Sequence, residues 1–508
     1  MSGVAVIPRP VAVTSGAGAL PISADTEVLA DRDSAAAARL LASWLPAAAG
    51  RPRRTGPLRS PAPPGAIVLT TDTTRTDLGD EGYALSVAPQ GATVTGGTPR
   101  GVLWGAQTLR QLLGPPGTAT TLPAVDIVDH PRFAWRGLHL DVARHFFPVP
   151  FIERLIDLMA LYKLNTFHWH LTEDQGWRIE IRSRPRLTET GARRAATPLP
   201  QDRTQTDDTS YAGHYTQDEV RRVVAYAGER GVTVVPEIEM PGHSQAALAS
   251  YPELGCTGSG YEVATTWGIK SDVLCAGRET TFAFLEEVLE EVLELFPGPF
   301  IHVGGDECPK QAWRACAHCQ ARIASERLAD EDELQSWFIR RMAGWLADRG
   351  RRLVGWDEIL EGGLAPGATV MSWRGSDGGV AAATAGHDVV MSPNTHCYFD
   401  YYQSEDTAAE PPAIGGHLPL EQVYSFEPVP PALADHAARV LGVQGNIWTE
   451  YMATESQVEY MAFPRALALA EVAWTPAELR SPAHFRARLA AHRPLLDRIG
   501  VGYRSWQD

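Results

Sequence analysis

The sequence predicts an α/β protein, a (β/α)8 TIM barrel preceded by a small α+β unit. Three observations predict it. From about residue 130 short apolar runs alternate with helical runs, the signature of a parallel sheet with helical crossovers. Eight such strand-like runs can be counted. Acids, indoles and histidines recur where these runs end, and the C-terminal ends of barrel strands are where that fold places its chemistry. A chain of 508 residues also exceeds one ordinary core, so we expect an accessory unit over residues 1–128 and the barrel with its C-terminal helices over 129–508.

In the first unit, Ser34 to Pro46 reads as an N-capped Ala/Leu-rich helix, and the Arg/Pro-rich stretch from Arg51 to Pro64 as a loop. GAIVLTTD, GYALSVAP and GATVTGG are strand-like, the last two forming a hairpin. Arg100 to Gly114 is a second helix, with Leu103, Leu109 and Leu113 on one face and a Gly-Pro-Pro stop. The unit carries no catalytic constellation, and packing is its expected role.

The barrel strands are expected at Phe133–Ala143, Thr166–Glu173, Val232–Glu239, Phe300–Gly305, Arg352–Trp356, Thr369–Trp373, His387–Ser392 and Val440–Trp448. Helical runs such as PFIERLIDLMALYKL, TQDEVRRVVAYAGERG, TTFAFLEEVLEEVLELF and DELQSWFIRRMAGWLADRG lie between them. The sixth and seventh repeats are the weakest, with only the Ala/Gly-rich GVAAATAG between them.

Composition excludes several function classes. A formal charge of −16 opposes nonspecific binding to nucleic acid or anionic membranes. The start of the sequence lacks a charged region followed by a long apolar run, and no segment is long enough to span a bilayer. A cytoplasmic location is the expectation, or a secreted one if the N-terminus has been trimmed. Six Cys in so long a chain make no disulfide scaffold. Cys308, Cys316 and Cys319 gather around His318, but without a second CxxC we expect a reduced structural cluster rather than zinc, a local disulfide staying open. Pairing of Cys256 with Cys275 is equally open.

The chemistry centres on Phe300 to Lys310, FIHVGGDECPK, where an apolar strand passes two glycines and ends on Asp306 and Glu307. Two acids at the end of a buried strand are costly unless something pairs or uses them. The other strand ends supply Arg144 and His145, Glu173 and Asp174, His243, Trp356 and Asp357, Trp373, Tyr398 with Asp400, and Trp448 with Glu450. Any one of these is easily a structural residue. Their recurrence suits a polyhydroxylated ring, with indoles stacked on C–H faces and acids accepting hydroxyl hydrogen bonds. Sugar cleavage needs an acid at the leaving oxygen and a nucleophile or base across the ring. Adjacent residues, with Cα atoms about 3.8 Å apart, are poorly placed to flank a ring. One can protonate the leaving group while its neighbour supports a group already on the substrate.

HVGGDE, together with RGLHLDVARHFFP, HWHLTEDQGWRIEI, PEIEMPGH and NIWTEY, resembles the family 20 β-N-acetylhexosaminidases over residues 130 to 475. The first 125 residues resemble the small α/β domain that often precedes that barrel. The resemblance implies a retaining glycoside hydrolase of glycan or chitin degradation. It would release terminal β-linked N-acetylglucosamine or N-acetylgalactosamine through an oxazolinium intermediate. It further implies that Glu307 is the general acid/base, that Asp306 orients the 2-acetamido group, and that Tyr398 hydrogen-bonds it. Trp356, Trp373 and Trp448 would wall the pocket, Arg144, Asp400 and Glu450 would hold the hydroxyls, and His243 would support the acid. Glu173, where the family often has Asp, belongs to the same expected substrate-binding set. A further pocket Trp finds no place in Ile414 to Pro430.

No cofactor and no metal are expected. Three rival readings stand beside this one. A lacto-N-biosidase would need a pocket open to a disaccharide. A metal-dependent barrel amide hydrolase would use His168, His170 and His243. A non-catalytic sugar-binding protein would keep the Trp walls and dispense with the acid pair.

Overall fold

The computed structural model describes residues 4–47 and 55–506. Its N-terminal part is a seven-stranded mixed sheet of β1 (Ala12–Pro21), β2 (Val28–Ala30), β3 (Thr55–Pro57), β4 (Ile67–Thr71), β5 (Tyr83–Ala88), β6 (Gly91–Gly96) and β7 (Thr121–Asp129), in the order β1-β7-β5-β6-β4-β2-β3. The expected hairpin is present as antiparallel β5 and β6. The loop expected from Arg51 to Pro64 is interrupted by β3, and its residues 51–54 lie outside the described residues. Strands β1, β2 and β7 were not foreseen. β1, AVTSGAGALP, is almost wholly exposed and offers no alternation to read.

Helix Pro99–Leu113 packs on this sheet. Thr98 accepts from the N–H groups of Arg100 and Gly101, Pro99 opens the first turn, and Gly114 ends the helix. Helix Ala35–Ala42 packs beside it.

The barrel closes from eight parallel strands: β8 (Trp135–Asp141), β9 (Thr166–His170), β10 (Thr233–Met240), β11 (Phe300–Gly304), β12 (Arg352–Trp356), β13 (Thr369–Ser372), β14 (Val389–Met391) and β15 (Val440–Ile447). β15 pairs back onto β8 from Gly442↔Trp135 to Ile447↔Leu140, which closes the circuit. Helices Val149–Leu161, Gln217–Glu229, Glu279–Leu295 and Glu331–Ala347 make the first four crossovers. Gln217–Glu229 begins with a Thr216/Glu219 capping box. The weak point is one repeat earlier than expected. GVAAATAG does form a helix, Asp377–Thr384, whereas β12 is followed only by the 3-10 turn Asp357–Leu360 before β13.

One apolar cluster runs continuously from the N-terminal sheet through the helical shell. A second, smaller one of Trp135, Val235, Val354, Trp356, Met371 and Val390 fills the barrel interior. Two buried ion pairs cross the junction between sheet and barrel. Lys163 Nζ meets Asp129 Oδ2 at 2.8 Å, and Arg136 meets Glu81. Asp129 also accepts from Tyr83 Oη at 2.7 Å and from Trp474 Nε1 at 2.9 Å.

Candidate active site

At the C-terminal mouth of the barrel lies a cavity of about 270 Å³. Of the residues expected at the site, Arg144, His243, Asp306, Glu307, Trp356, Trp373, Tyr398, Asp400, Trp448 and Glu450 line it. Ten side chains scattered over some 300 positions converge because they stand at or beyond the C-terminal ends of seven barrel strands, with Asp306 and Glu307, Tyr398 and Asp400, and Trp448 and Glu450 sharing a strand.

The glycines before the acid pair have a physical reason. Gly304 is at φ 67°, and a Cβ there would stand 1.7 Å from Glu239 Oε2. Gly305 is at φ 89°, and its Cβ would meet Ile359 at 2.5 Å. The chain then turns so tightly that Glu307 itself takes φ 43°, and His243, which faces it, φ 48°. Non-glycine residues in the left-handed region cost energy and recur at functional sites.

His243 links the acids. Its Nε2 is 3.5 Å from Asp306 Oδ2 and 3.4 Å from Glu307 Oε2, while its Nδ1 is 2.6 Å from Glu173 Oε1. Burial opposes a charge on this imidazole, but the Glu173 and Asp306 carboxylates hold it well above its ordinary range. Burial, together with Glu237 and Glu307, pushes Asp306 up to about 6 against the pull of His243. Asp306 Oδ1 is buried and has no hydrogen-bond partner among the described residues.

Glu173 departs from expectation. It does not line the cavity and is 2% exposed, so it is not a sugar contact here. Its carboxylate is consumed by His243, by Arg144 Nη2 at 3.2 Å and by His170 Nε2 at 3.2 Å. Burial would raise it, but Arg144 and His243 hold it well below the usual carboxylate range. It is therefore a strut beneath the pocket.

The far side carries the remaining polar groups. Arg144 reaches Glu450 Oε1 at 4.0 Å and Asp141 Oδ2 at 3.3 Å. Burial and the neighbouring Glu450 raise Asp400 well above its ordinary value, and its Oδ1 has no hydrogen-bond partner among the described residues. A buried carboxyl with a free oxygen is placed to hydrogen-bond a hydroxyl. The indole of Trp373 stacks on Tyr398 with centroids 5.9 Å apart and an interplanar angle of 22°. Trp373 Nε1 donates to Glu358 Oε2 at 2.9 Å. Burial and the nearby Asp306 push Glu358 up to about 8. Trp356 is wedged below, 1% exposed, donating to Glu237 Oε1 at 2.9 Å.

Sequence reasoning missed Arg203, Trp267, Ile269, Tyr401, Ile414 and Tyr451, which also line the cavity. Four of them sit on long strand-to-helix loops without periodicity, where no local signal points inward. Ile414 opens the segment in which a further Trp found no place, and it is 47% exposed. The histidine triplet of the metal-hydrolase reading does not converge. His168 and His170 are fully buried around Glu237 inside the barrel, whereas His243 faces the cavity. The cysteine expectation also needs correcting. Cys308 stands apart, and the residues that gather with Cys316 and Cys319 are Cys256 and Cys275. All six cysteines are free thiols.

Residues 133–477 match the family model described as glycosyl hydrolase family 20, catalytic domain, and residues 3–130 that described as glycosyl hydrolase family 20, domain 2. A beta-hexosaminidase of Porphyromonas gingivalis is 46% identical over 511 residues, which is 99% of this chain and 64% of the relative. One from Vibrio furnissii is 40% identical over 80% of this chain and 66% of its own length. The chain thus spans just under two thirds of these two relatives. A beta-N-acetylhexosaminidase of Cellulomonas fimi is 34% identical over 98% of this chain and 96% of its own. Among solved structures, the beta-N-acetylhexosaminidase of Streptomyces coelicolor superposes with TM-score 0.85 at 33% identity, covering 99% of this chain and 98% of that one. The exo beta-N-acetylglucosaminidase of Vibrio harveyi in complex with N-acetylglucosamine gives TM-score 0.86 at 33% identity, over 99% and 79%.

Proposed function

The chain belongs to glycosyl hydrolase family 20, and from that premise we propose that it removes terminal, non-reducing β-linked N-acetylhexosamine with retention of configuration, using the substrate's own 2-acetamido group as nucleophile. The observation that carries this reading is the acid pair itself. Asp306 and Glu307 both lie within 3.5 Å of one imidazole nitrogen, so they address a bound ring from a shared wall. A substrate with its amide carbonyl near the anomeric carbon supplies the missing nucleophile.

In the proposed sequence Glu307, one-third exposed at its side chain and open to the cavity, gives its proton to the leaving oxygen. The C–O bond breaks as the acetamido oxygen closes on the anomeric carbon. Asp306 accepts the amide N–H and stabilises the positive charge of the oxazolinium ring. Tyr398 hydrogen-bonds the acetamido group from the Trp373 side. Water, deprotonated by Glu307, then opens the ring and returns the β configuration. Charged His243, fixed by Glu173, holds the two carboxylates in register. Arg144, Asp400 and Glu450 take the ring hydroxyls, and Trp356, Trp373 and Trp448 form the apolar walls.

The test is a panel of aryl β-glycosides followed by NMR of the first product. Aryl β-GlcNAc or β-GalNAc should be turned over to the β anomer and be inhibited competitively by a thiazoline analogue of the cyclised ring. β-Glucosides should be nearly inert. An inverted product, or a glycosyl ester trapped on any Asp or Glu, sinks the proposal. Faster turnover of an aryl lacto-N-bioside than of the monosaccharide glycosides replaces the monosaccharide assignment.

A further inference from the structure

Away from the acids, four cysteine sulfurs meet between two of the loops that build the pocket. Cys275 Sγ stands 3.7 Å from Cys316 Sγ and 3.6 Å from Cys319 Sγ, and Cys256 Sγ stands 3.9 Å from Cys319 Sγ. All four lie within 4.8 Å of one another. Cys275 and Cys319 are fully buried, Cys316 is 6% exposed, and Cys256 is half-buried. Disulfide sulfurs sit at about 2.0 Å, so these pairs are not bonded. Four thiolates around zinc at about 2.3 Å form a tetrahedron with edges of ~3.8 Å, and the Cys275–Cys316, Cys275–Cys319 and Cys256–Cys319 separations match such edges. We propose that Cys256, Cys275, Cys316 and Cys319 form a structural zinc site.

The backbone around the sulfurs is built for a bound ion. Cys316 and Cys319 have two residues between them at the start of helix Ala317–Glu326, the short spacing of zinc ligands. Gly277, two residues after Cys275, lies flat against the other ligand loop, where a Cβ would stand 2.2 Å from His318 C and 2.5 Å from Cys319 N. No side chain fits there, so the two ligand pairs are brought together by backbone contact. Zinc binding replaces the four thiol protons, which leave to solvent, and gives a closed site with no open position for water. Tetrahedral S4 sites take zinc or iron–sulfur centres, and four protein ligands that leave no open position give the ion a holding role.

The site has a mechanical meaning for the pocket. Cys256 and Cys275 bracket a loop that is closed at its base by the Gly255↔Leu274 bridge and whose far end brings Trp267, Gly268 and Ile269 to the cavity. Cys316 and Cys319 lie nine to thirteen residues beyond Asp306 and Glu307. The ion therefore fastens the loop after β10 to the loop after β11, next to Trp313, whose Nε1 donates to Leu274 O at 2.9 Å. It would position a cavity wall without touching substrate.

The experiment is metal analysis of the full chain purified under reductant without chelator. About one equivalent of zinc per chain is expected, released to a chromogenic chelator when a mercurial titrates the thiols. Cobalt(II) exchanged into the site should show thiolate-to-cobalt charge transfer and the bands of a tetrahedral ion. Cys319→Ser and Cys256→Ser should each lower bound zinc about tenfold, whereas Cys308→Ser should keep it. The wild-type release and cobalt spectra stand even if a variant fails to fold. Absence of bound zinc after incubation with zinc and reductant overturns the proposal. So does iron in its place, retention of zinc in the folded Cys319→Ser protein, or two disulfides among these four residues by alkylation mass spectrometry.

Discussion

Glu173 Oε1 lies 2.6 Å from Nδ1 of His243; an ionised carboxylate only accepts, so the imidazole donates there, and because Glu173 and Asp306 favour its charged form it carries a second N–H that faces Asp306 and Glu307. Hydrogen bonds to charged groups contribute ~1.5–3 kcal/mol, or roughly 10–100-fold in rate if lost in the transition state. Glu173→Gln should therefore lower kcat by about that factor with little change in KM, since Glu173 does not reach the cavity. Glu173→Asp, one methylene shorter, should lie between the two. A variant with raised KM and unchanged kcat would make Glu173 a substrate contact after all.

For the general acid the measurement is a leaving-group series. Glu307→Gln should lose ~10²–10⁴-fold on natural disaccharides, whose alcohols leave poorly, and far less on glycosides of acidic phenols. A loss independent of leaving-group pKa would take Glu307 out of that role.

Asp306 ties activity to stability through pH. Its value of about 6 in the folded protein lies above its ordinary 3.8. The folded state thus binds the proton more tightly, and stability falls as pH rises from about 4 to about 6. A shift of ~2 units corresponds to ~3 kcal/mol. Asp306→Asn should raise the melting temperature at pH 7 but not at pH 4, while removing an acid limb near pH 6 from kcat/KM. Equal melting temperatures of variant and wild type at pH 7 would show that the buried charge is compensated.

The tryptophan walls should separate by burial. Trp373 is partly exposed and stacked on Tyr398, so Trp373→Ala should raise KM and leave the melting temperature nearly unchanged. Trp356 is 1% exposed and satisfies Glu237, so Trp356→Ala should cost ~3–5 kcal/mol of stability as well. Circular dichroism melts beside steady-state kinetics distinguish them, and a Trp373→Ala protein that melts early with normal kinetics would reverse the assignment.

Strand alternation and the residues at strand ends made the barrel and ten of the cavity residues legible, because both depend on local pattern and on a fold that collects strand ends. What stayed hidden depends on long-range placement. Trp267 sits on a loop with no period, and Glu173 reads from sequence like any strand-end acid. Only the packing shows that Arg144, His170 and His243 already occupy its oxygens. The cysteines are the clearest case. Cys308 is the near neighbour in sequence, yet the loop after β10 returns Cys256 and Cys275 to Cys316 and Cys319.

The seam between sheet and barrel bears on how this chain can be trimmed or recombined. The Lys163 ammonium and the Arg136 guanidinium are fully buried in the barrel half, and both of their counter-ions, Asp129 and Glu81, come from the N-terminal half. Breaking a buried pair by removing one partner costs ~3–5 kcal/mol, and losing two at once rivals the 5–15 kcal/mol that holds an ordinary domain together. A barrel cut at the start of β8 would lose both counter-ions and uncover the apolar surface that packs around the two cations. Chimeras that swap the barrel onto another N-terminal unit must carry matching acids at both places, so the two halves are not freely interchangeable parts.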